Sequence, residues 1–224
     1  MTPQTIASAS EYWRQYYGSQ FIFGLGTEHI LAALRQVPPA GLWIDAGAGS
    51  ESLLWSTALE ACRLIAVDHD EQRLRILRAY ADASQPRDAY RTALALCDRA
   101  VPDFTTRCES LSATLAADCL DGQPLPLQPS SADLVTQFGL LGLTTSPAHF
   151  TRAWAACHEP LATGGWAAGA NWTATRQPGR VRLGQQLYQA AFTQCGMTPL
   201  LVRQIPVSGD PDFDSVWIYL GRKQ

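Results

Sequence analysis

The sequence lacks several features that would point to particular classes of protein. Its six cysteines form no Cys-x-x-Cys pair, so the usual zinc and dithiol motifs are absent. It contains no apolar run long enough to span a bilayer, and residues 1–11 lack the basic and apolar segments of a signal peptide. We therefore expect a cytoplasmic protein without a metal site, whose free thiols pack as small apolar side chains.

An excess of charge of one sign is also missing. The formal net charge is only -3, which gives no reason to expect nucleic acid or an anionic membrane as a partner. The chain has 224 residues, of which 46% are hydrophobic and 17% charged, without an internal repeat or a low-complexity block. This composition favours a single α/β domain over residues 1–224 with one core, and leaves the oligomeric state open.

After Pro38-Pro39, short apolar runs alternate with helical stretches. This alternation is typical of βαβ units and a mostly parallel sheet. The predicted strands are 42–44, 64–67, 114–117, 134–135, 166–170, 200–203 and 216–220, and the predicted helices are 53–62, 71–83, 88–97, 150–161 and 181–195. The link between the last two strands is too short for a crossover helix and contains Pro206, Gly209 and Pro211, so these strands should pair antiparallel. Such a sheet is not the plain dinucleotide-binding fold.

The first forty residues look helical and rich in aromatic side chains. Helical spacing places Tyr12, Tyr16 and Trp13 on one face of a predicted helix, and Tyr17 is their neighbour in the sequence. That face either packs against the core or covers a flat ligand, and the sequence leaves both open.

A glycine turn follows the first predicted strand, in the segment Trp-Ile-Asp-Ala-Gly-Ala-Gly-Ser at 43–50. Gly47 and Gly49 let a ligand approach the backbone next to the free N–H groups of a helix N-terminus. The carboxylate of Asp45, two residues earlier, would repel the pyrophosphate of NAD but favours the cationic S-adenosylmethionine. Ser52 also replaces the third glycine of the dinucleotide motif.

Two more aspartates end predicted strands. Asp68 follows the second strand by the spacing typical of an acid that accepts hydrogen bonds from a ribose. Asp118 ends the next strand and could reach the adenine amino group. Each alone is equally compatible with a helix N-cap or a solvated loop end, but their common register with the glycine turn favours a cofactor site.

On these residues the chain resembles the family of nicotinamide, phenylethanolamine and thioether/indolethylamine N-methyltransferases. The most specific match is the aromatic segment 11–17, where the family has Asp-Tyr-Leu-x-x-Tyr-Tyr. The further matching segments are 44–49, Asp68, 117–119, 125–133 and 161–165. The resemblance implies a Rossmann-like class I methyltransferase fold: seven strands, mostly parallel with an antiparallel last strand, plus a helical lid over residues 1–38.

The resemblance also implies roles for individual residues. Tyr12 and Tyr17 would contact the cofactor and close over it, and Gly47 would support its methionine part. Asp68 would hold the ribose, while Asp118 and Cys119 would flank the adenine. We add Asp45, Gly49, His69 and Arg73 to the expected cofactor site. At Leu53 and Arg73 the sequence departs from the family, which often has tyrosine and asparagine there.

Methyl transfer needs no covalent nucleophile, and it needs a base only if the acceptor must lose a proton. Candidate bases are His149, His158, Glu159 and tyrosine hydroxyls, with Tyr17 and His149 in the expected catalytic set. His149 follows Ser146-Pro147, a pair typical of a helix start, so a surface histidine is the simpler interpretation. Asn171, the third expected catalytic residue, falls where several family members place an acid facing the acceptor. Alternatively, it ends a strand and hydrogen-bonds a loop.

The expected function is transfer of a methyl group to a small aromatic or heteroaromatic acceptor in small-molecule or secondary metabolism. The acceptor atom would be nitrogen or an electron-rich ring carbon, as in an indole. The alternatives are a non-catalytic module that binds the cofactor and an NAD-dependent oxidoreductase.

Overall fold

Seven strands form one sheet in a computed structural model that describes residues 20–175 and 179–224. The strands are β1 (Ala40–Ala46), β2 (Ala61–Asp68), β3 (Leu111–Ala116), β4 (Ala132–Phe138), β5 (Leu161–Ala174), β6 (Met197–Pro206) and β7 (Phe213–Lys223). Their order is β3-β2-β1-β4-β5-β7-β6. The first five run parallel, and β7 pairs antiparallel with both β5 and β6. The predicted fold class is confirmed, including the antiparallel pairing of the last two strands.

Helices connect and cover these strands. They are α1 (Thr27–Leu34), α2 (Ser52–Trp55), α3 (Glu71–Ala83), α4 (Asp88–Leu96), α5 (Asp103–Ser110), α6 (Pro147–His158) and α7 (Gln185–Gln194), with a 3-10 turn at Leu141–Leu143. Predicted helix 71–83 is confirmed at both ends because it has clear local signals. The Asp70 carboxylate caps the N–H groups of Gln72 and Arg73, and Ser84 ends the helix with a positive φ of 50°.

Between the glycine turn and β3, one predicted helix is wrong and one observed helix was not predicted. Helix 53–62 is only the short α2, and Cys62 lies in β2. The hydroxyls of Ser56 and Thr57 donate back to the carbonyls of Leu53 and Leu54, which competes with continuation of the helix. Helix α5 was not expected because its sequence, Asp-Phe-Thr-Thr-Arg-Cys-Glu-Ser, is mostly polar.

The core lies on both faces of the sheet, because side chains along each strand alternate between faces. On β1, Trp43 packs in the cluster that contains α1 and α4, whereas Ile44 packs in the cluster that contains α6 and α7. The second cluster is strongly aromatic around Trp154, whose ring lies 4.7 Å from that of Tyr219 and 4.9 Å from that of Phe192. Burial of this kind, at about 1.5–3 kcal/mol for each large side chain, holds the strand ends in fixed positions.

The predicted cap over residues 1–38 is described only in part. Helix α1 lies within it, and the aromatic segment 11–17 lies outside the described residues. Within 20–175 and 179–224, no helix has both the length and the apolar character needed to cross a membrane. No group of metal-ligating side chains is found in the same ranges.

Candidate functional site

A cavity of about 720 Å³ opens at the carboxyl ends of the parallel strands. The strand order reverses between β1 and β4, and open α/β sheets bind ligands at this switch point. The part we call the cofactor half follows β1, β2 and β3 and is lined by Asp45, Gly47, Gly49, Glu51, Asp68, His69, Arg73 and Asp118. The part we call the acceptor half comes from other segments and is lined by Phe21, Ile22, Leu25, Phe138, Leu143, Trp172, Arg180, Asp210, Asp212 and Phe213.

The glycine turn is the floor of the cofactor half. Gly47 and Gly49 have φ values of 66° and 54°, in the left-handed region that favours glycine. A Cβ atom at Gly47 would lie 2.8 Å from the side chain of Leu140, and one at Gly49 would overlap the carboxylate of Glu51. Both positions therefore need glycine for conformation and for space.

Asp45 is 1% exposed and ends β1 beneath the turn. Its Oδ2 accepts from the Ser52 hydroxyl and its Oδ1 from the Thr136 hydroxyl, both at 2.6 Å. Trp43 Nε1 in turn donates to the oxygen of Thr136 at 2.6 Å. Burial raises the pKa of Asp45 from 3.8 to about 7, although the two hydroxyls oppose this shift. A cation placed beside Asp45 would favour its ionised form.

Asp68 is fixed by the backbone on both sides. Its Oδ2 accepts from the N–H of Gly49 at 2.9 Å, and its Oδ1 accepts from the N–H of Asp70 at 2.8 Å. The His69 ring lies 3.4 Å from Oδ1 and is mostly exposed at the cavity rim. Each carboxylate oxygen can accept a further hydrogen bond, so the side chain is oriented for two neighbouring hydroxyls.

The sequence interpretation missed Glu51, at the N-cap of α2. Its carboxylate accepts from the N–H and the hydroxyl of Ser50 and lies over the glycine turn. Burial raises the pKa of Glu51 from 4.5 to about 7, opposed by the hydrogen bond from Ser50 and by the charge of Arg73. The sequence signal that could have identified Glu51 is an acidic residue at the start of a helix, directly after the glycine motif.

The remaining expected cofactor residues differ in position. Arg73 lines the cavity, and its Nε lies 3.4 Å from Oδ2 of Asp70. Asp118 also lines it and accepts from the N–H of Leu120 at 2.8 Å. Cys119 is 3% exposed and is not on the cavity wall. Tyr12 and Tyr17 lie outside the described residues.

The acceptor half is largely aromatic. Trp55, at the boundary between the halves, stacks on Phe138 with ring centroids 4.1 Å apart and planes at 22°. Trp172 Nε1 donates to the carbonyl oxygen of Leu25 at 2.8 Å, which fixes the indole against the segment before α1. These rings form walls suited to a flat ligand.

Asn171, which we expected to face the acceptor, is fully buried and does not line the cavity. Its Oδ1 accepts from the N–H of Gly142 at 2.9 Å, and its Nδ2 donates to the Tyr188 hydroxyl at 3.0 Å. The amide therefore holds the 3-10 turn between β4 and α6, as in the alternative interpretation of a strand residue that hydrogen-bonds a loop.

Three candidate bases within the described residues, His149, His158 and Glu159, also lie off the cavity wall, and Tyr17 lies outside the described residues. His149 starts α6 under the Ser146 cap, with Nε2 2.8 Å from the carbonyl oxygen of Leu120. His158 is buried on the other side of that helix, where burial lowers its pKa from 6.5 to about 4. His158 and Glu159 line a separate cavity of about 450 Å³.

No protein-family model and no curated protein matches the sequence. Solved structures are similar in fold over most of the chain. The N-methyltransferase NodS from Bradyrhizobium japonicum, solved with S-adenosyl-L-homocysteine, is 14% identical with a TM-score of 0.62, over 94% of this chain and 91% of that chain. The chain has the fold of the class I methyltransferases.

Two other structures extend this comparison. TehB from Haemophilus influenzae is 13% identical with a TM-score of 0.61, over 96% of this chain and 67% of that chain. The YcgJ protein from Bacillus subtilis is 12% identical with a TM-score of 0.60, over 88% of this chain and 98% of that chain. Each of the three structures matches at least 88% of this chain.

Proposed function

We propose that this protein is an S-adenosylmethionine-dependent methyltransferase that acts on a small aromatic or heteroaromatic acceptor. The methyl group goes to nitrogen or to an electron-rich ring carbon. One observation carries the proposal: a single cavity joins a glycine turn surrounded by carboxylates to walls of aromatic side chains. The likeness in fold to NodS supports it.

The cofactor half fits S-adenosylmethionine better than a dinucleotide. Asp45, Glu51 and Asp68 line the cavity around the glycine turn, where the pyrophosphate of NAD would lie. Carboxylates repel a phosphate but attract the ammonium and sulfonium of S-adenosylmethionine. This argues against the alternative of an NAD-dependent oxidoreductase.

The other cofactor contacts follow from the placement of the residues. The fixed carboxylate of Asp68 accepts from the ribose hydroxyls, and Asp118 accepts from the adenine amino group. Gly47 supports the methionine part, with Tyr12 and Tyr17 over the cofactor, as the family resemblance implies. His69 and Arg73 complete the rim. Cys119, which the resemblance places beside the adenine, lies in the core and does not line the cavity.

When bound, the cofactor would supply an activated methyl group, whose carbon an acceptor lone pair or ring carbon would attack in line while the bond to sulfur breaks and S-adenosylhomocysteine leaves. The aromatic walls formed by Trp172 and Phe138 hold a flat acceptor near attack distance and exclude water. Asn171 acts as a positioning residue, because it holds the turn whose Leu143 lines the acceptor half. For acceptors that must lose a proton, Tyr17 is the proposed proton acceptor, because His149 lies off the cavity wall with its Nε2 on the carbonyl oxygen of Leu120.

Calorimetry with S-adenosylhomocysteine and with NAD tests the cofactor, and we expect binding of the first alone. Incubation with S-adenosylmethionine and a panel of indoles, pyridines and aromatic amines, followed by NMR of the products, tests the reaction. Tight cofactor binding without methylation of any acceptor would favour the non-catalytic binding module. Binding of NAD alone would contradict the proposal.

A further inference from the structure

The acceptor half contains one basic side chain within residues 20–175 and 179–224, that of Arg180. The other basic residues on the cavity wall, His69 and Arg73, belong to the cofactor half. Arg180 follows β5, on the opposite side of the switch point from β2 and β3. Its charge is therefore available to the second ligand of the cavity rather than to the ribose and adenine of the first.

The backbone beside Arg180 is held in place. The N–H of Val181 donates to the carbonyl oxygen of Thr144 at 2.6 Å, and the Val181 side chain is buried in the core. Thr144 directly follows the 3-10 turn that Asn171 holds through Gly142. The backbone that carries the guanidinium is thus held in place, which lowers the entropy lost when the side chain binds a ligand.

Arg180 has no counter-charge in the described part of the chain. No ion pair or hydrogen bond of its guanidinium is found there, whereas Arg35, Arg75 and Arg99 each pair with a carboxylate. Burial lowers the pKa of Arg180 below its usual range, the direction expected for a cation that has partly left water. A half-buried cation on the wall of a ligand cavity that forms no ion pair within the described residues is free to bind a negatively charged group of the ligand.

The acids nearby do not replace such a ligand. Asp210 lines the same half, but its Oδ1 accepts from the N–H groups of Asp212 and Phe213 at 2.8 and 3.1 Å. It thereby shapes the entry into β7. Asp212 is exposed, and its backbone carbonyl accepts from the N–H of Thr175.

We propose that Arg180 binds a carboxylate carried by the methyl acceptor, which makes the acceptor an aromatic or heteroaromatic acid. This rests on the proposed methyl transfer. The planar guanidinium matches a carboxylate with two parallel hydrogen bonds, which a ring without a carboxylate cannot form. The reacting nitrogen or carbon stays neutral at one end of the acceptor, between the aromatic walls, while the negative charge sits at the other end.

The test compares matched ligands on protein saturated with S-adenosylhomocysteine. Calorimetry measures the affinities for indole-3-acetate and indole-3-acetamide, and for pyridine-3-carboxylate and pyridine-3-carboxamide. The proteins are the parent, Arg180→Gln, Arg180→Lys and the control Arg182→Gln. Arg182 is exposed and does not line the cavity.

We expect the parent to bind at least one carboxylate about tenfold or more tightly than its amide, as a charged hydrogen-bonded pair predicts. Arg180→Gln should abolish that preference, Arg180→Lys should keep part of it, and Arg182→Gln should keep all of it. The affinity for S-adenosylhomocysteine should be the same in all four proteins, which also shows that each is folded.

Two results would overturn the proposal. The first is that the parent binds the carboxylates no more tightly than their amides, or that Arg180→Gln keeps the same preference as the parent. Weaker binding of S-adenosylhomocysteine by Arg180→Gln would assign Arg180 to the carboxylate of the cofactor instead. Both differ from failure of the proposed function, in which the parent does not bind S-adenosylhomocysteine or methylates no ring of the panel.

Discussion

The two halves of the cavity are built in different ways. The cofactor half is made by short segments directly after β1, β2 and β3, and its side chains are fixed by nearby backbone N–H groups and hydroxyls, as for Asp68 and Asp45. The acceptor half is gathered from segments far apart in the sequence, such as Leu25, Trp172 and Phe213. The first half depends on local conformation, and the second depends on the packing of the whole sheet.

The sharpest way to break the cofactor half alone is Gly47→Ala. The added Cβ would meet Leu140 at 2.8 Å on a backbone with a φ of 66°, so the turn must shift. We expect binding of S-adenosylhomocysteine to fall by more than about a hundredfold, with a stability loss of about 1–3 kcal/mol from the strain. Calorimetry and thermal unfolding measure the two effects.

The matched control is Gly184→Ala. Gly184 has an extended φ of -175°, and a Cβ there meets nothing within 4 Å. This variant should bind S-adenosylhomocysteine like the parent. Equal binding by Gly47→Ala and Gly184→Ala would show that the turn does not contact the cofactor.

A smaller loss is expected from Asp68→Ala, which removes the carboxylate proposed to bind the ribose and releases the N–H of Gly49. Loss of hydrogen bonds to a charged group costs about 1.5–3 kcal/mol, or roughly 10- to 150-fold in affinity for S-adenosylhomocysteine. The control is Asp82→Ala on the exposed side of α3. An unchanged affinity in Asp68→Ala would contradict the ribose assignment.

The acceptor half should respond separately. Trp172→Ala removes an aromatic wall and the hydrogen bond to Leu25, whereas Trp172→Phe keeps a ring and loses only that bond. We expect KM for the acceptor to rise about tenfold or more in the alanine variant and less in the phenylalanine variant, as the loss of a buried aromatic contact predicts. The affinity for S-adenosylhomocysteine should stay constant. If Trp172→Ala weakened the binding of S-adenosylhomocysteine as much as that of the acceptor, the two halves would not bind separate ligands.

The smallest effect concerns pH. Burial raises the pKa of Asp45 from 3.8 to about 7, so the folded protein holds this proton more tightly than the unfolded chain. The unfolded chain therefore binds fewer protons between about pH 4 and 7, and the stability of the ligand-free protein falls as pH rises through this window. Thermal unfolding from pH 5 to 8 should show this decline, and Asp45→Asn should reduce it. Identical pH profiles for Asp45→Asn and the parent would contradict the assignment.

The sequence predicted which side chains lie together around the glycine turn, and it did so for a physical reason. The conformation of Gly47 and Gly49 and the ends of β1 and β2 depend on neighbouring residues, so a short segment contains most of the information. Glu51 was not predicted as a site residue because an acid at the start of a helix is most simply explained by its interaction with the helix dipole. Helix α5 was not predicted because its sequence has a weak helix propensity, and the burial of Phe104 and Cys108 in the folded protein stabilises it instead.

The acceptor half could not be predicted in this way. Arg180 and Phe213 carry no motif, and they share a wall with Leu25 only because the strand order brings their segments together. Asn171 was placed correctly on β5, but its partners Gly142 and Tyr188 depend on how the 3-10 turn and α7 pack. Such contacts follow from the completed fold rather than from spacing along the chain.

The position of β7 between β5 and β6 sets the order in which the molecule can assemble. Strand β6 is synthesised before β7, and within the described ranges it pairs with β7 alone. It therefore has no strand of this sheet to join until the residues up to Lys223 are made. Until then β5 presents an open edge, which invites pairing with other chains. The cofactor half can form from earlier contacts, whereas the wall that includes Phe213 closes last. A growing chain would therefore become competent to hold the cofactor before it can select an acceptor.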